Sequence, residues 1–161
     1  MIRGLTGKRT NKSGIMTGCG QKNGPGWRFL EHTADIRVEM YGADMKEVFV
    51  HAALALTQVL SPEAKLASSD ELELDLEAGG YEDLLVEWLR EILFQNQTSG
   101  FLVAEPRITE LTPTRIKATL NGCYVDMEAL RADFEIKGVT YHGLSIKKED
   151  STYVATVVFD I

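Results

Sequence analysis

Hydrophobic and polar positions along this chain repeat with two different periods, and the switches between them divide it into elements. Ile36, Val38 and Met40 alternate with Arg37, Glu39 and Tyr41, the period of two expected of a strand with one buried face. With the apolar segment that starts at Trp27, the pattern over 27–42 predicts a strand, a tight connection through His32-Thr33-Ala34-Asp35, and a second strand. At Asp44 the period changes. Met45, Val48, Phe49, Ala52, Ala53, Leu56, Val59 and Leu60 recur at helical spacing, which predicts an amphipathic helix of about four turns. Asp44 is its expected N-cap, with Glu47 three residues on, and Ser61-Pro62 its end. His51 falls off the apolar stripe and is expected to face solvent.

The alternation returns at Leu72, Leu74 and Leu76, separated by acids, and predicts a strand with an acidic outer face. After Gly79-Gly80, a second helix is expected to bury Tyr81, Leu84, Leu85, Trp88, Leu89, Ile92 and Leu93, with Gln95 to Gly100 as its polar exit. Everything beyond reads as β. Phe101–Leu111 is a strand in which Pro106 marks an edge or a bulge. Thr112-Pro113-Thr114 turns into Arg115–Leu120, Asn121-Gly122 is the strongest hairpin signal, and Tyr124–Leu130 follows. Phe134–His142 alternates, Gly143 bends it and Leu144–Lys147 continues. Glu149-Asp150-Ser151 then turns into a last strand, Thr152–Ile161. The order predicts an α+β protein with two amphipathic helices packed on a largely antiparallel sheet.

Composition adds limits. The chain has 161 residues, 44% hydrophobic and 25% charged, which suits one folded domain over 27–161 and excludes wholesale disorder. No apolar run approaches the roughly 20 residues of a membrane helix, and no secretory signal is visible. Two Cys make neither a disulfide framework nor a zinc knuckle, so a cytoplasmic location is expected. Residues 1–26 hold seven of the fourteen Gly and five bases without an acid. They read as a disordered basic leader, within which Met16 offers an internal start of translation. The remainder has twelve bases against twenty-four acids. A body that acidic repels phosphate backbones and suits a cation or a basic protein surface.

Two polar spots stand out against this background. His32-Thr33-Ala34-Asp35 crowds an imidazole, a hydroxyl and a carboxylate at a joint without Gly or Pro, and the chain stops on Phe159-Asp160-Ile161. If the two meet, Asp35, Asp160 and the terminal carboxylate of Ile161 offer the clustered oxygens that hard cations require. Zinc fits less well, because no second His or Cys lies at ligand spacing. From residue types alone, two surface acids and an ordinary chain end are the plainer reading. His32 and Asp35 could alternatively form an acid–base pair with Thr33 as nucleophile, the basis of a metal-dependent hydrolase. The plainer role of His32 and Thr33 is to lock the connection by hydrogen bonds. Lys137 is a base in a body poor in them. The basic leader leaves open an RNA-binding or chaperone-like module. No Walker loop, nucleophile elbow, Rossmann fingerprint or zinc motif is present.

Four stretches in order give these features a common frame: Phe29–Gly42 around Leu30-Glu31-His32-Thr33-Ala34-Asp35; Asp83–Leu93; Glu135–Leu144; and the terminal Val157-Val158-Phe159-Asp160-Ile161. Together they resemble the archease family over 27–161. The resemblance implies an α+β fold of nested strand–helix–strand–strand modules. It also implies a non-enzymatic protein cofactor of the RtcB-type RNA ligase, which joins 3′-phosphate and 5′-hydroxyl RNA ends with GTP in tRNA splicing and RNA repair. Such a cofactor promotes ligase guanylylation and repeated turnover, and meets RNA only through the ligase. Carried over by position, the metal site is Asp35, Asp160 and Ile161, typically with calcium; magnesium and manganese are the alternatives. Lys137 matches a lysine implicated in activation. Glu31 stands where many members have Asp, and Gly138 where many have Ala; neither removes an implied ligand. The basic leader lies outside the family pattern.

Overall fold

The computed structural model describes residues 23–30, 35–62, 65–128 and 135–161. Seven strands and two helices follow in the order β1 (Trp27–Leu30), β2 (Asp35–Gly42), α1 (Met45–Leu60), β3 (Asp70–Glu77), α2 (Tyr81–Ser99), β4 (Phe101–Thr112), β5 (Arg115–Tyr124), β6 (Gly138–Glu149) and β7 (Thr152–Asp160). The strands form two antiparallel sheets, β1-β2-β7-β6 and β3-β5-β4. Each helix touches strands of both sheets, so the two sheets share one core. Phe29, Val38, Met40, Phe49, Trp88, Phe101 and Phe159 are fully buried there.

The connectivity is that of one module inside another. In the outer module, β2, α1, β6 and β7 lie in the sheet order β2-β7-β6. In the inserted module, β3, α2, β4 and β5 lie in the order β3-β5-β4. Both are strand–helix–strand–strand units whose third strand sits in the middle. The Trp88 indole N–H, from α2, donates to the Phe49 carbonyl of α1 at 2.9 Å and ties the modules together at their helices. No described helix is long and apolar enough to cross a membrane.

Local chemistry accounts for most boundaries. Asp44 caps α1, accepting from the Glu47 N–H at 2.9 Å, while Glu47 accepts in return from the Ala43 N–H. Pro106 lies on β4, an edge strand, between register shifts at Val103/Glu105 and Ile108/Glu110. There its missing N–H removes no hydrogen bond from a central strand. Asp150 takes the left-handed conformation (φ 58°) in the β6–β7 turn, which Asp tolerates better than most residues.

Five expectations need correction. Asn121-Gly122 is not a turn: β5 runs straight through it, pairing Gly122 with Asp70 on one side and Val103 on the other. A Cβ at Gly122 would lie 2.0 Å from the Leu102 carbonyl oxygen, so the glycine serves a close backbone approach within the central strand. The strand expected at Tyr124–Leu130 therefore ends at its first residue, and 129–134 lie outside the described residues. The second helix continues through Gln95 to Ser99, with Asn96 buried and donating to the Phe101 carbonyl. His51 is half-buried instead of solvent-facing, packed against Gly26 and Trp27, with Nδ1 donating to the Tyr41 carbonyl. Residues 23–26, read above as the end of the leader, are tied into the sheet. Asn23 accepts from the Phe29 N–H and Gly26 from the Tyr41 N–H, both at 2.8 Å. Residues 1–22 lie outside the described residues.

Candidate metal centre

Ile36, Val38 and Met40 turn into the core, so the pleat sends Asp35, Arg37, Glu39 and Tyr41 to the outer face of β2. Phe159, fully buried, fixes the end of β7 in the same way and sends Asp160 outward. The register then pairs Asp35 with Asp160. Directly opposed residues of an antiparallel pair share a face, with Cβ atoms about 4.5–5.5 Å apart. On the other side, Asp160 pairs with Gly138, and its carbonyl accepts from the Lys137 N–H at 2.7 Å. Ile161 packs its side chain against the core, which anchors the terminal carboxylate beside this row. Asp35, Asp160, Ile161 and Lys137 thus meet at one end of the four-stranded sheet, although 125 positions separate the two aspartates. His32 and Thr33 lie outside the described residues, and with them the locking role and the acid–base pair considered for this joint.

The donor set suits a hard cation. Two side-chain carboxylates and a main-chain carboxylate supply only oxygen, as calcium and magnesium prefer. Asp160 is exposed and Asp35 half-buried, already engaged by an interaction of its own. A Cβ at Gly138 would meet nothing within 4 Å, so the space beside the carboxylates is open and an alanine fits there. Among the described residues, no three His, Cys, Asp or Glu are grouped to hold a metal. Asp35 and Asp160 are two such side chains, one short of that grouping.

Farther along the same face, Glu39 accepts from Arg28 Nη2 and from the Tyr41 hydroxyl, both at 2.6 Å. Burial pushes the Tyr41 phenol up, and the Glu39 carboxylate beside it adds to this, to about 12. Burial also pushes Glu39 up, but the hydrogen bonds from Tyr41 and Arg28 outweigh it and leave the carboxyl below its ordinary value. The sequence reading passed over Arg37, although the period of two that exposes Asp35 exposes Arg37 as well. A cavity of about 580 Å³ opens near Gly79, Tyr81, Lys147, Lys148 and Tyr153. None of the candidate residues lines it.

An α+β domain of two nested modules, with two aspartates and a chain end converging at a sheet corner, defines the class. Within it, a match to the Archease protein family (MTH1598/TM1083) covers residues 27–161. The chain is 34% identical to protein archease of Methanosarcina barkeri over 142 residues, 86% of this chain and 97% of that one. It is 32% identical to protein archease of Archaeoglobus fulgidus over 137 residues, 84% and 98% of the two chains. The solution structure of Methanobacterium thermoautotrophicum protein 1598 superposes with a TM-score of 0.67 at 30% identity, covering 84% of this chain and 99% of that one. The crystal structure of a Thermotoga maritima archease, described as a possible chaperone, shares the fold at 22% identity and a TM-score of 0.56, over 82% and 94%. This chain belongs to the archease family.

Proposed function

We propose that this protein is a non-enzymatic, metal-binding cofactor of a GTP-dependent RNA ligase that joins 3′-phosphate and 5′-hydroxyl ends. It promotes guanylylation and repeated turnover of the ligase in cytoplasmic tRNA splicing or RNA repair. The observation that carries this reading is the pairing of Asp35 with Asp160 at the last residues of the chain, with Lys137 hydrogen-bonded to the same strand end. Family membership supports it.

In this reading Asp35, Asp160 and the Ile161 carboxylate hold a divalent cation, with calcium first and magnesium or manganese as alternatives. When bound, the cation supplies positive charge at the tip of an otherwise acidic protein. The sheet does the rest of the work: it fixes the two carboxylates opposite each other and anchors the chain end through Phe159 and Ile161. Lys137 stands beside them, exposed, to meet the ligase or an anionic group held there. RNA is met only through the ligase, because a net-acidic body is a poor surface for a phosphate backbone.

The test is ligase–GMP formation by the cognate ligase with GTP and metal. Added protein accelerates it, and Asp35→Ala abolishes the acceleration. No acceleration, or the same acceleration from the variant, contradicts the proposal.

A further inference from the structure

Arg37 is left unexplained by the fold. It is half-buried on the outer face of β2, one same-face step from Asp35 and opposite Val158. Among the described residues no hydrogen bond or ion pair engages its guanidinium, and Nε is sealed from solvent without a partner. The nearest acid farther along the strand, Glu39, attracts it electrostatically but is hydrogen-bonded to Arg28 and Tyr41. A sealed N–H without an acceptor is costly and calls for a reason.

Packing explains the stem but not the fork. Between Thr140 and Ser145 of β6 the register shifts around Gly143 (φ +74°), and this bulge folds back over the sheet. A Cβ on Gly143 would lie 3.1 Å from Arg37 Nη2 and 3.6 Å from Val158 Cγ2. Val158, pointing away from the core yet only 1% exposed, is therefore covered from above. Methylenes do that covering well, and a lysine or a methionine would serve. What only arginine adds is a planar fork of donors that binds an oxyanion through two parallel bonds.

The neighbouring rows say which oxyanion. Asp35, Asp160 and Gly138 form one row across the sheet; Arg37, Val158 and Thr140 form the next. Successive same-face rows lie about 6.5–7 Å apart. A phosphomonoester has three terminal oxygens, enough to meet the fork with two and face the carboxylate row with the third. A carboxylate has only two. Facing that row requires the aspartates to be offset by a cation, and the open space beside Gly138 leaves room for the group.

We propose that Arg37 binds the phosphoryl group of a phosphomonoester at the cation-loaded corner of this sheet, the corner at which Lys137 also lies. The inference rests on the reading of Asp35 and Asp160 as cation ligands. The full chain, with and without calcium, is titrated with methyl phosphate and followed by phosphorus NMR line broadening; calcium affinity is measured separately. The wild type binds methyl phosphate when calcium is present. Arg37→Met, which keeps a stem over Val158, weakens that binding by about tenfold or more while leaving calcium affinity unchanged, and Arg37→Lys falls between. Thermal melts of both variants establish that they are folded.

Calcium binding without methyl phosphate binding, or equal binding by folded Arg37→Met, overturns this inference and leaves the cation site standing. Methyl phosphate binding that needs Arg37 but not calcium keeps the phosphoryl site and removes the cation's part. Binding of neither overturns both. GMP and a 3′-phosphorylated dinucleotide distinguish the two sources of such a group, since the natural one adds contacts and binds more tightly. If neither exceeds methyl phosphate, the phosphoryl group alone is what the site recognises.

Discussion

The outer and inserted modules share one strand–helix–strand–strand topology, and the same corner of each has opposite character. In the outer module the row is Asp35, Asp160, Gly138; in the inserted module it is Asp70, Gly122, Val103. Where the outer module places an exposed aspartate on its central strand, the inserted one places a buried glycine against Leu102 and Phe101. One corner is therefore closed by backbone packing, and the other is left open with charged groups around it. The repeated topology is a scaffold in both; at this corner only the outer copy sets two aspartates opposite each other.

Exchanging the properties of the two glycines strains this comparison most. Gly122→Val drives a side chain into the Leu102 carbonyl in a central strand. It is expected to cost about 3 kcal/mol or more in denaturant unfolding. Gly138→Ala enters open space and is expected to change stability by no more than about 0.5 kcal/mol. Equal costs would show that the two corners are alike in packing. A smaller effect is expected at the joint between modules. Trp88→Phe removes the indole bond to Phe49 and leaves a small void, for a loss of about 2 kcal/mol. Unfolding remains a single transition if both modules share one core, and splits if they do not.

The smallest effect is confined to the outer module's face and depends on pH. Tyr41 is kept neutral in the folded protein up to about 12, above its ordinary 10.0. Its contribution is therefore fully present below pH 10 and is lost as the pH rises toward 12. Denaturation midpoints taken on either side of pH 10 fall for the wild type, and Tyr41→Phe flattens that fall.

Much of this was legible in the chain. The alternation of Ile36, Val38 and Met40 gave β2 its faces, Asp44 and Glu47 gave α1 its start, and Pro106 announced an irregular edge strand. These signals are local: burial pattern, a cap, a missing donor. Asn121-Gly122 misled because the turn preference of that pair is local too, whereas its position in β5 is decided by β3 and β4, distant in sequence, clasping it from both sides. The nested topology leaves no trace in the periodicity, since the two modules share strand order without sharing residues; it was reached through the resemblance to archeases.

The candidate site divides along the same line. Nothing between positions 35 and 160 indicates that they face each other; only the antiparallel register of β2 and β7 decides it, and the chain composition offers many other acids. Resemblance to archeases singled these two out, and the register then placed them opposite each other. Arg37 was available from periodicity alone, on the same face as Asp35. Gly143 was legible as a bend in the strand; what no pattern supplies is that this bulge lies against the Arg37 guanidinium.

The account depends most on the corner of the outer module being a cation site built from both ends of the domain. Calorimetric titration of the full chain with calcium tests this directly, comparing the wild type with Asp35→Asn, which keeps the shape and removes the charge. Changes in groups behind metal ligands already cost 10–100-fold in affinity, so loss of a ligand charge is expected to weaken binding by about 100-fold. Calcium binding by Asp35→Asn as tight as that of the wild type would contradict the account.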